Sequence, residues 1–333
     1  MRILGKNGPS VSDLGLGCMG MSDLYGPADE AEGIATIQAA LDAGLNLLDT
    51  GDYYGMGHNE LLIAKVLGGR KRENVFLSVK FGALRDPRGN WIGIDGRPAA
   101  VKNFLAYTLR RLNTDYVDIY RLGRVDPAVP IEETIGGIAE MAQAGYVRHI
   151  GLSEAGAETV RRAQAVHPIS DLQIEYSLIS RGIETEILPT CRELGIGVTA
   201  YGVLSRGLIS GHWSRDWKVA PNDFRHYAPR FSGESLDHNL RLVDQLQKVA
   251  TTKGATVAQV AIAWVLSRGF DIVPLIGARR RDRLTEALGA TKLRLSEADM
   301  KQIETAVPAG SAAGDRYPTP QMAILDSERR SKT

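Results

Sequence analysis

Eight short apolar runs, each followed by a segment of helical spacing, constrain what this chain can fold into more than any other feature. They fall at residues 14–17, 45–48, 75–79, 116–120, 148–152, 172–175, 197–200 and 271–275. Between them, apolar residues recur three and four apart, as in Ile34, Ile37, Ala40 and Leu41 before Gly44, and prolines at 98 and 130 sit where helices open. Parallel strands need a crossover long enough to hold a helix. The repeat therefore predicts an α/β fold, a closed (β/α)8 TIM barrel with a short N-terminal extension and long loops on the carboxyl face. A doubly wound open sheet is the alternative, and it would carry Gly-x-Gly-x-x-Gly where the first strand enters a helix. The run Gly15-Leu16-Gly17-Cys18-Met19-Gly20 has glycines, but Pro27 and a polar loop delay the helix to about Glu30. It reads as a strand end.

Residues 1–333 read as one domain, with a polar, flexible tail near 308–333. The rhythm breaks at 203–233, where Gly207, Gly211, Pro221, Pro229, Gly233, Trp213 and Trp217 follow no sustained period. A loop of that length in a compact domain has a function of its own or is disordered. Here it is expected to cover a ligand.

Composition removes several classes of function. Forty basic against 39 acidic residues leave a charge of +1, so no bulk field favours nucleic acid or an anionic membrane. Cys18 and Cys191 offer neither a disulfide framework nor metal-ligand spacing, which fits a reducing cytoplasm. The first residues, Met1-Arg2-Ile3-Leu4-Gly5-Lys6, lack the apolar core of a signal peptide. No window approaches the ~20 apolar residues that span a bilayer. The expectation is a cytoplasmic protein acting on a small molecule, without metal, nucleic acid or membrane; oligomeric state is not legible.

In a closed barrel the carboxyl ends of the strands ring one mouth. The second run ends in Leu48-Asp49-Thr50-Gly51-Asp52-Tyr53-Tyr54-Gly55-Met56-Gly57-His58-Asn59-Glu60, and the third ends at Lys80. A tyrosine with its ordinary pKa of about 10 is a weak proton donor unless a nearby cation favours the phenolate. Lys80 is a candidate for that cation and Asp49 for the carboxylate that holds it. The set suits a general acid that protonates an oxyanion as a carbonyl carbon is reduced. Each residue also has a plainer reading: Asp49 a cap, Tyr54 a packing ring, Lys80 a solvated side chain. Lys80 as a Schiff-base lysine would make the protein an aldolase. Only joint placement raises function above structure.

At these residues the sequence resembles the aldo-keto reductase superfamily, over nearly the whole chain. Leu48 to Glu60 is similar to the signature Leu-Asp-Thr-Ala-x-x-Tyr-Gly-x-Gly-x-x-Glu, with Gly51 for the usual Ala. Val79-Lys80, Gly151-Leu152-Ser153, Tyr201-Gly202-Val203-Leu204-Ser205-Arg206-Gly207 and Pro274-Leu275-Ile276-Gly277-Ala278-Arg279 resemble further motifs in the right order. The resemblance implies NADPH/NADP+ at the barrel mouth and hydride transfer to an aldehyde or ketone. It makes Asp49, Tyr54 and Lys80 catalytic, with Tyr54 the acid, its pKa lowered by Lys80 and Asp49. Gly17, Ser153, Glu154 (where Asn is frequent) and Gln173 would meet the nicotinamide end, and Tyr201 would stack on its ring. Gly202, Leu204 and Arg206 would follow the pyrophosphate. Gly277, Arg279, Arg283 and Glu286 would hold the adenosine end, and two planar guanidinium forks there favour the 2′-phosphate of NADPH. Tyr25, Trp91, Arg121 and Arg124 are expected around the substrate.

The departure is at the fourth strand, where Tyr120-Arg121-Leu122-Gly123-Arg124-Val125-Asp126-Pro127 places Gly123 at the position of the family's histidine. Losing one such donor costs about 2.7–4 kcal/mol of transition-state stabilisation. The expectation is a widened pocket that admits a bulky ketone, with water, Arg121 or Arg124 as partial replacement. A cofactor-sensing protein with little turnover is the competing reading.

Overall fold

The computed structural model describes residues 1–6, 8–22 and 24–329. Its centre is a closed barrel of parallel strands: β1 (Gly15–Gly17), β2 (Leu47–Gly51), β3 (Phe76–Phe81), β4 (Val117–Leu122), β5 (Val147–Ser153), β6 (Ile169–Glu175), β7 (Gly197–Tyr201) and β8 (Ile272–Ile276). Neighbours in sequence are neighbours in space, and Leu275 of β8 pairs with Gly15 of β1 to close the ring. Helices α1 (Glu30–Asp42), α2 (His58–Leu67), α3 (Pro98–Leu112), α4 (Ile131–Gln143), α5 (Ala157–Val166), α6 (Ile187–Leu194), α7 (Gly233–Thr252), α8 (Val257–Ser267), α9 (Arg281–Gly289) and α10 (Glu297–Ala306) form the outer layer. Their starts follow local chemistry. Asp29 accepts from the Glu32 amide at the head of α1, and Thr256 and Gln259 form a reciprocal cap on α8. No single helix among the described residues is long and apolar enough to cross a membrane.

Most strands run past the apolar runs that announced them. β2 contains Asp49, and β3 contains Lys80. The physical reason is alternation: successive residues face opposite sides of a strand. Polar residues that face the barrel interior find partners there and continue the ladder. Outward positions such as Leu48, Val79 and Tyr120 enter the main core under the helices, where Tyr120 stacks on Phe81 at 4.4 Å.

The interior is layered from closed end to mouth. An antiparallel hairpin, Arg2–Ile3 with Ser10–Val11, caps the amino end. Leu4 and Val11 beside it pack on Leu47, Ile119, Val273 and Leu275. Above this apolar plug the inward face of β6 presents Asp171, Gln173 and Glu175 at successive levels, all at most 3 % exposed. Asp171 accepts from Arg121 at 3.1 Å and from Thr199; Gln173 donates to Asp49 at 2.7 Å; Glu175 accepts from Arg206 at 3.1 Å.

Three segments dress the mouth. The stretch after β3 is a hairpin, Ala83–Arg85 with Trp91–Ile94. The long 203–233 segment holds short 3-10 turns and an aromatic cluster, with Trp213 stacked on Trp217 at 5.0 Å and edge-on to Phe231 at 4.8 Å. It bridges to the β1–α1 loop, where Tyr25 pairs with Asp223 and Phe224 N donates to Leu24 O at 2.8 Å. The tail was expected to be flexible. Over residues 308–329 it instead lies against the barrel, anchored by Arg316, Tyr317, Asp326 and Ser327; residues 330–333 of that expectation fall outside the described residues.

Candidate active site

Asp49, Lys80 and Tyr54 come together. Lys80 Nζ donates to Asp49 Oδ1, while Ser78 Oγ at 2.8 Å and Gln173 Nε2 at 2.7 Å both donate to Oδ2. The carboxylate is thus orientated by an ammonium and two neutral donors, and Lys80 is 3 % exposed. Lys80 Nζ lies 5.3 Å from the centroid of the Tyr54 ring, a cation–π contact. Tyr54 follows the end of β2 by three residues, and the chain then turns through Gly55 and Met56 in left-handed conformation, φ 56° and 53°, before α2 begins.

The electrostatics differ from expectation. Burial pushes the Tyr54 hydroxyl well above its ordinary pKa, and the neighbouring Tyr53 and Asp49 add to the rise; Arg124 is the cation that opposes it. Burial holds Lys80 below its ordinary value, with Asp49 pulling back up. Tyr54 is therefore held protonated, rather than shifted toward phenolate.

Several residues stand elsewhere than their sequence suggested. Arg121 does not line a substrate pocket: it is 0 % exposed, faces inward one layer below the site and pairs with Asp171. Its inward register beside Lys80 in the β3–β4 ladder dictates this. Arg124 does lie at the mouth, where Nη1 donates to Gly123 O at 2.7 Å and Nη2 to the Tyr317 hydroxyl at 3.2 Å. The expected widening at Gly123 does not occur, because Tyr53 fills the space: a Cβ built on Gly123 would stand 2.9 Å from the Tyr53 hydroxyl oxygen. Trp91 meets Tyr53 edge-on at 6.2 Å. Tyr25 sits between the loops, its carbonyl accepting from Arg279 at 2.9 Å.

Glu154 is the clearest correction. It occupies the left-handed region, φ 52°, which asparagine tolerates and glutamate enters at a cost of roughly 1–2 kcal/mol. It is fully buried, and its oxygens accept from Arg316 at 2.9 and 2.5 Å, Ser327 at 2.6 Å, Tyr201 at 2.7 Å and the Glu175 amide at 3.0 Å. Arg316 beside it holds the carboxyl far below the usual carboxylate range despite burial. Its oxygens are taken up by the tail, by Tyr201 and by the Glu175 amide, so it is an anchor and not a free ligand group. A chain of hydroxyls continues from it: Arg124 donates to Tyr317, which donates to Tyr201 at 2.9 Å, which donates to Glu154. Sequence reasoning missed Arg316 and Tyr317, since no local pattern marks a partner 162 residues from Glu154.

A nicotinamide cofactor fits what remains. Ser153 Oγ, beside Gln173 in the β5–β6 ladder, is buried and has no partner among the described residues. A Cβ at Gly277 would meet nothing within 4 Å, and one at Gly17 only Ile276 O at 3.6 Å. Gly202 needs its left-handed φ of 64° to turn the chain over Glu175, whose Cγ would lie 3.1 Å from a Cβ. Leu204 packs partly buried beyond it, and Arg206 is spent on Glu175 at 3.1 Å. Of the arginines after β8, Arg280 pairs with Asp282, Arg281 with Glu32, and Arg283 with Glu286, which also holds His212 at 2.8 Å. Arg279 alone of these four has no carboxylate partner among the described residues.

The class is that of a closed (β/α)8 barrel with a buried Asp–Lys pair beneath a tyrosine at its mouth. The chain belongs to the aldo/keto reductase family, whose model matches residues 13–308. It is 42% identical over 315 residues to a probable aldo-keto reductase of Glycine max, covering 94% of this chain and 90% of that one. A glycerol dehydrogenase from Gluconobacter oxydans superposes with a TM-score of 0.83 at 27% identity, covering 100% of this chain and 98% of that one. A holo aldo-keto reductase from Bacillus halodurans gives 0.76 at 27% identity, covering 92% and 96%. A thermostable aldo-keto reductase complexed with the inhibitor epalrestat gives 0.73 at 29% identity, covering 91% and 98%. Family members use nicotinamide cofactors and reduce small carbonyl compounds.

Proposed function

We propose that this protein reduces an aldehyde or ketone to the alcohol with NADPH, Tyr54 giving the proton to the carbonyl oxygen. The observation that carries the reading is the Asp49–Lys80 pair, buried under the Tyr54 ring and braced by Ser78 and Gln173. When bound, the nicotinamide supplies hydride to the carbonyl carbon. Ser153, with its unpartnered hydroxyl, and Tyr201 would meet the nicotinamide, Gly17, Gly202 and Gly277 would admit the backbone of the cofactor, and Arg279 would take the 2′-phosphate. Lys80 and Asp49 fix the electrostatic ground beneath Tyr54. Tyr54 stays protonated because burial disfavours its phenolate, so it carries the proton that reduction of a carbonyl requires.

A Schiff-base role for Lys80 is disfavoured by its ion pair with Asp49 and the ring above it. The test is NADPH oxidation across aldehydes, diketones and bulky polycyclic ketones, with Tyr54→Phe as the control. Turnover in at least one class, lowered about 10²–10⁴-fold in the variant, is expected. Unchanged turnover in the variant overturns the acid assignment. Tight NADPH binding with no turnover on any class replaces the reading by that of a cofactor sensor, and borohydride trapping of a substrate on Lys80 replaces it by an aldolase.

A further inference from the structure

A carbonyl oxygen that becomes an oxyanion gains most from two donors, one giving its proton and one giving only a hydrogen bond. Tyr54 accounts for one. The second is written in the geometry around Gly123. A Cβ there would stand 2.9 Å from the Tyr53 hydroxyl oxygen, 3.2 Å from its Cε1 and 3.3 Å from Phe81 O. Side chains do not tolerate such contacts, so position 123 leaves room for a hydrogen and the volume belongs to Tyr53. The Tyr53 ring is set by edge contacts to Tyr54, centroids 4.9 Å apart, and to Trp91 on the hairpin after β3. The two hydroxyl-bearing ring carbons converge on the end of β2: a Cβ on Gly51 would stand 3.3 Å from Tyr54 Cζ and 3.4 Å from Tyr53 Cζ. Tyr54 is 6 % exposed, whereas Tyr53 is only partly buried, on the side of Trp91 and the solvent. An oxygen within reach of the Tyr54 hydroxyl therefore meets the Tyr53 hydroxyl next to it.

We propose that Tyr53 is a second catalytic residue, a hydrogen-bond donor to the substrate oxygen, seated in the space that Gly123 leaves open. The proposal rests on the reductase reading above. In the step, the carbonyl carbon takes the hydride, the π pair moves to oxygen, and oxygen takes the Tyr54 proton, leaving a Tyr54 phenolate. Tyr53 keeps its own proton and holds the oxygen while its charge develops. Burial keeps the Tyr53 hydroxyl protonated, with Arg124 opposing the rise.

Tyr53→Phe removes the hydroxyl and keeps the ring. It is expected to lower kcat about 100-fold, with KM, the NADPH dissociation constant by tryptophan fluorescence and Tm little changed. Gly123→Ala approaches the same hydroxyl from the other side and is expected to lower kcat comparably, yet to add little in the Tyr53→Phe background, because its main target is gone. Wild-type kcat in Tyr53→Phe overturns the proposal, as does a loss accounted for by weaker NADPH binding or a lower Tm, which is a structural role. Failure of the underlying reading looks different: wild-type protein that oxidises NADPH with no carbonyl class. That result removes the substrate and the proposal together, whereas active wild type with an equally active Tyr53→Phe removes Tyr53 alone.

Discussion

Two buried ion pairs stand at successive levels of β6, and they serve different ends. Asp49–Lys80 is local in the barrel, joining adjacent strands, and Gln173 of β6 braces it. Glu154–Arg316 joins the end of β5 to the tail, and Glu175, two residues beyond Gln173 on the same face, lies 3.6 Å from Arg316. Both pairs surrender hydration, which buried ions recover only with good geometry and further hydrogen bonds. In the first, the further bonds leave an ammonium under the Tyr54 ring. In the second, the carboxylate is taken up by Arg316 and Ser327 of the tail together with Tyr201 and the Glu175 amide of the barrel. A buried charge pair is thus no mark of catalysis by itself; what it leaves facing the ligand decides.

The contrast is broken most severely by substituting its cations. Lys80→Met should lower turnover about 10²–10⁴-fold, and Tm should fall as well, because Asp49 stays buried with only the neutral donors Ser78 and Gln173; steady-state kinetics with a melting curve checks both. Arg316→Ala should lower stability but largely spare turnover. Leaving Glu154 buried and unpaired costs about 3–5 kcal/mol, read by denaturant unfolding, and the tail should become open to protease while kcat stays within about tenfold. At the adenosine end, Arg279→Ala should cut the preference for NADPH over NADH by about 10–100-fold, the loss of a charged hydrogen bond or two, measured as the ratio of kcat/KM values. The smallest effect is a pH dependence. Glu154 has its carboxyl held below the ordinary value of 4.5, so its stabilising contribution is complete above that pH and fades only as pH falls toward the depressed value. Protease release of the tail should therefore be flat from pH 7 to about pH 5 and rise only in stronger acid, and Glu154→Gln should remove that rise.

Much of the barrel was legible because its signal is local. Apolar runs and helical spacings placed all eight strands and the span of α3, and the strand-end rule located Asp49 and Lys80. What failed did so for one reason. Arg121 and Arg124 lie three residues apart at the end of β4, yet one is sealed against Asp171 and the other faces the tyrosines. Inward and outward registers are set by the partner strands, and the sequence of β4 alone does not say how deep each level lies. Glu154 looked like a ligand residue because its neighbour Ser153 does; only Arg316 shows otherwise.

By itself, then, the sequence determined the repeat that closes the barrel and the short run that carries Asp49, Tyr53 and Tyr54 at and beyond the end of one strand, since period-two alternation and strand ends are properties of neighbouring residues. Tertiary structure decided which tyrosine hydroxyl meets which space. Gly123 is 70 residues from Tyr53, and only the closure of β2, β3 and β4 side by side turns a missing side chain into a seat for a ring. It also decided that a polar tail becomes part of the mouth, because burying Arg316 required carboxylates, which Glu154 after β5 and Glu175 at the end of β6 supply.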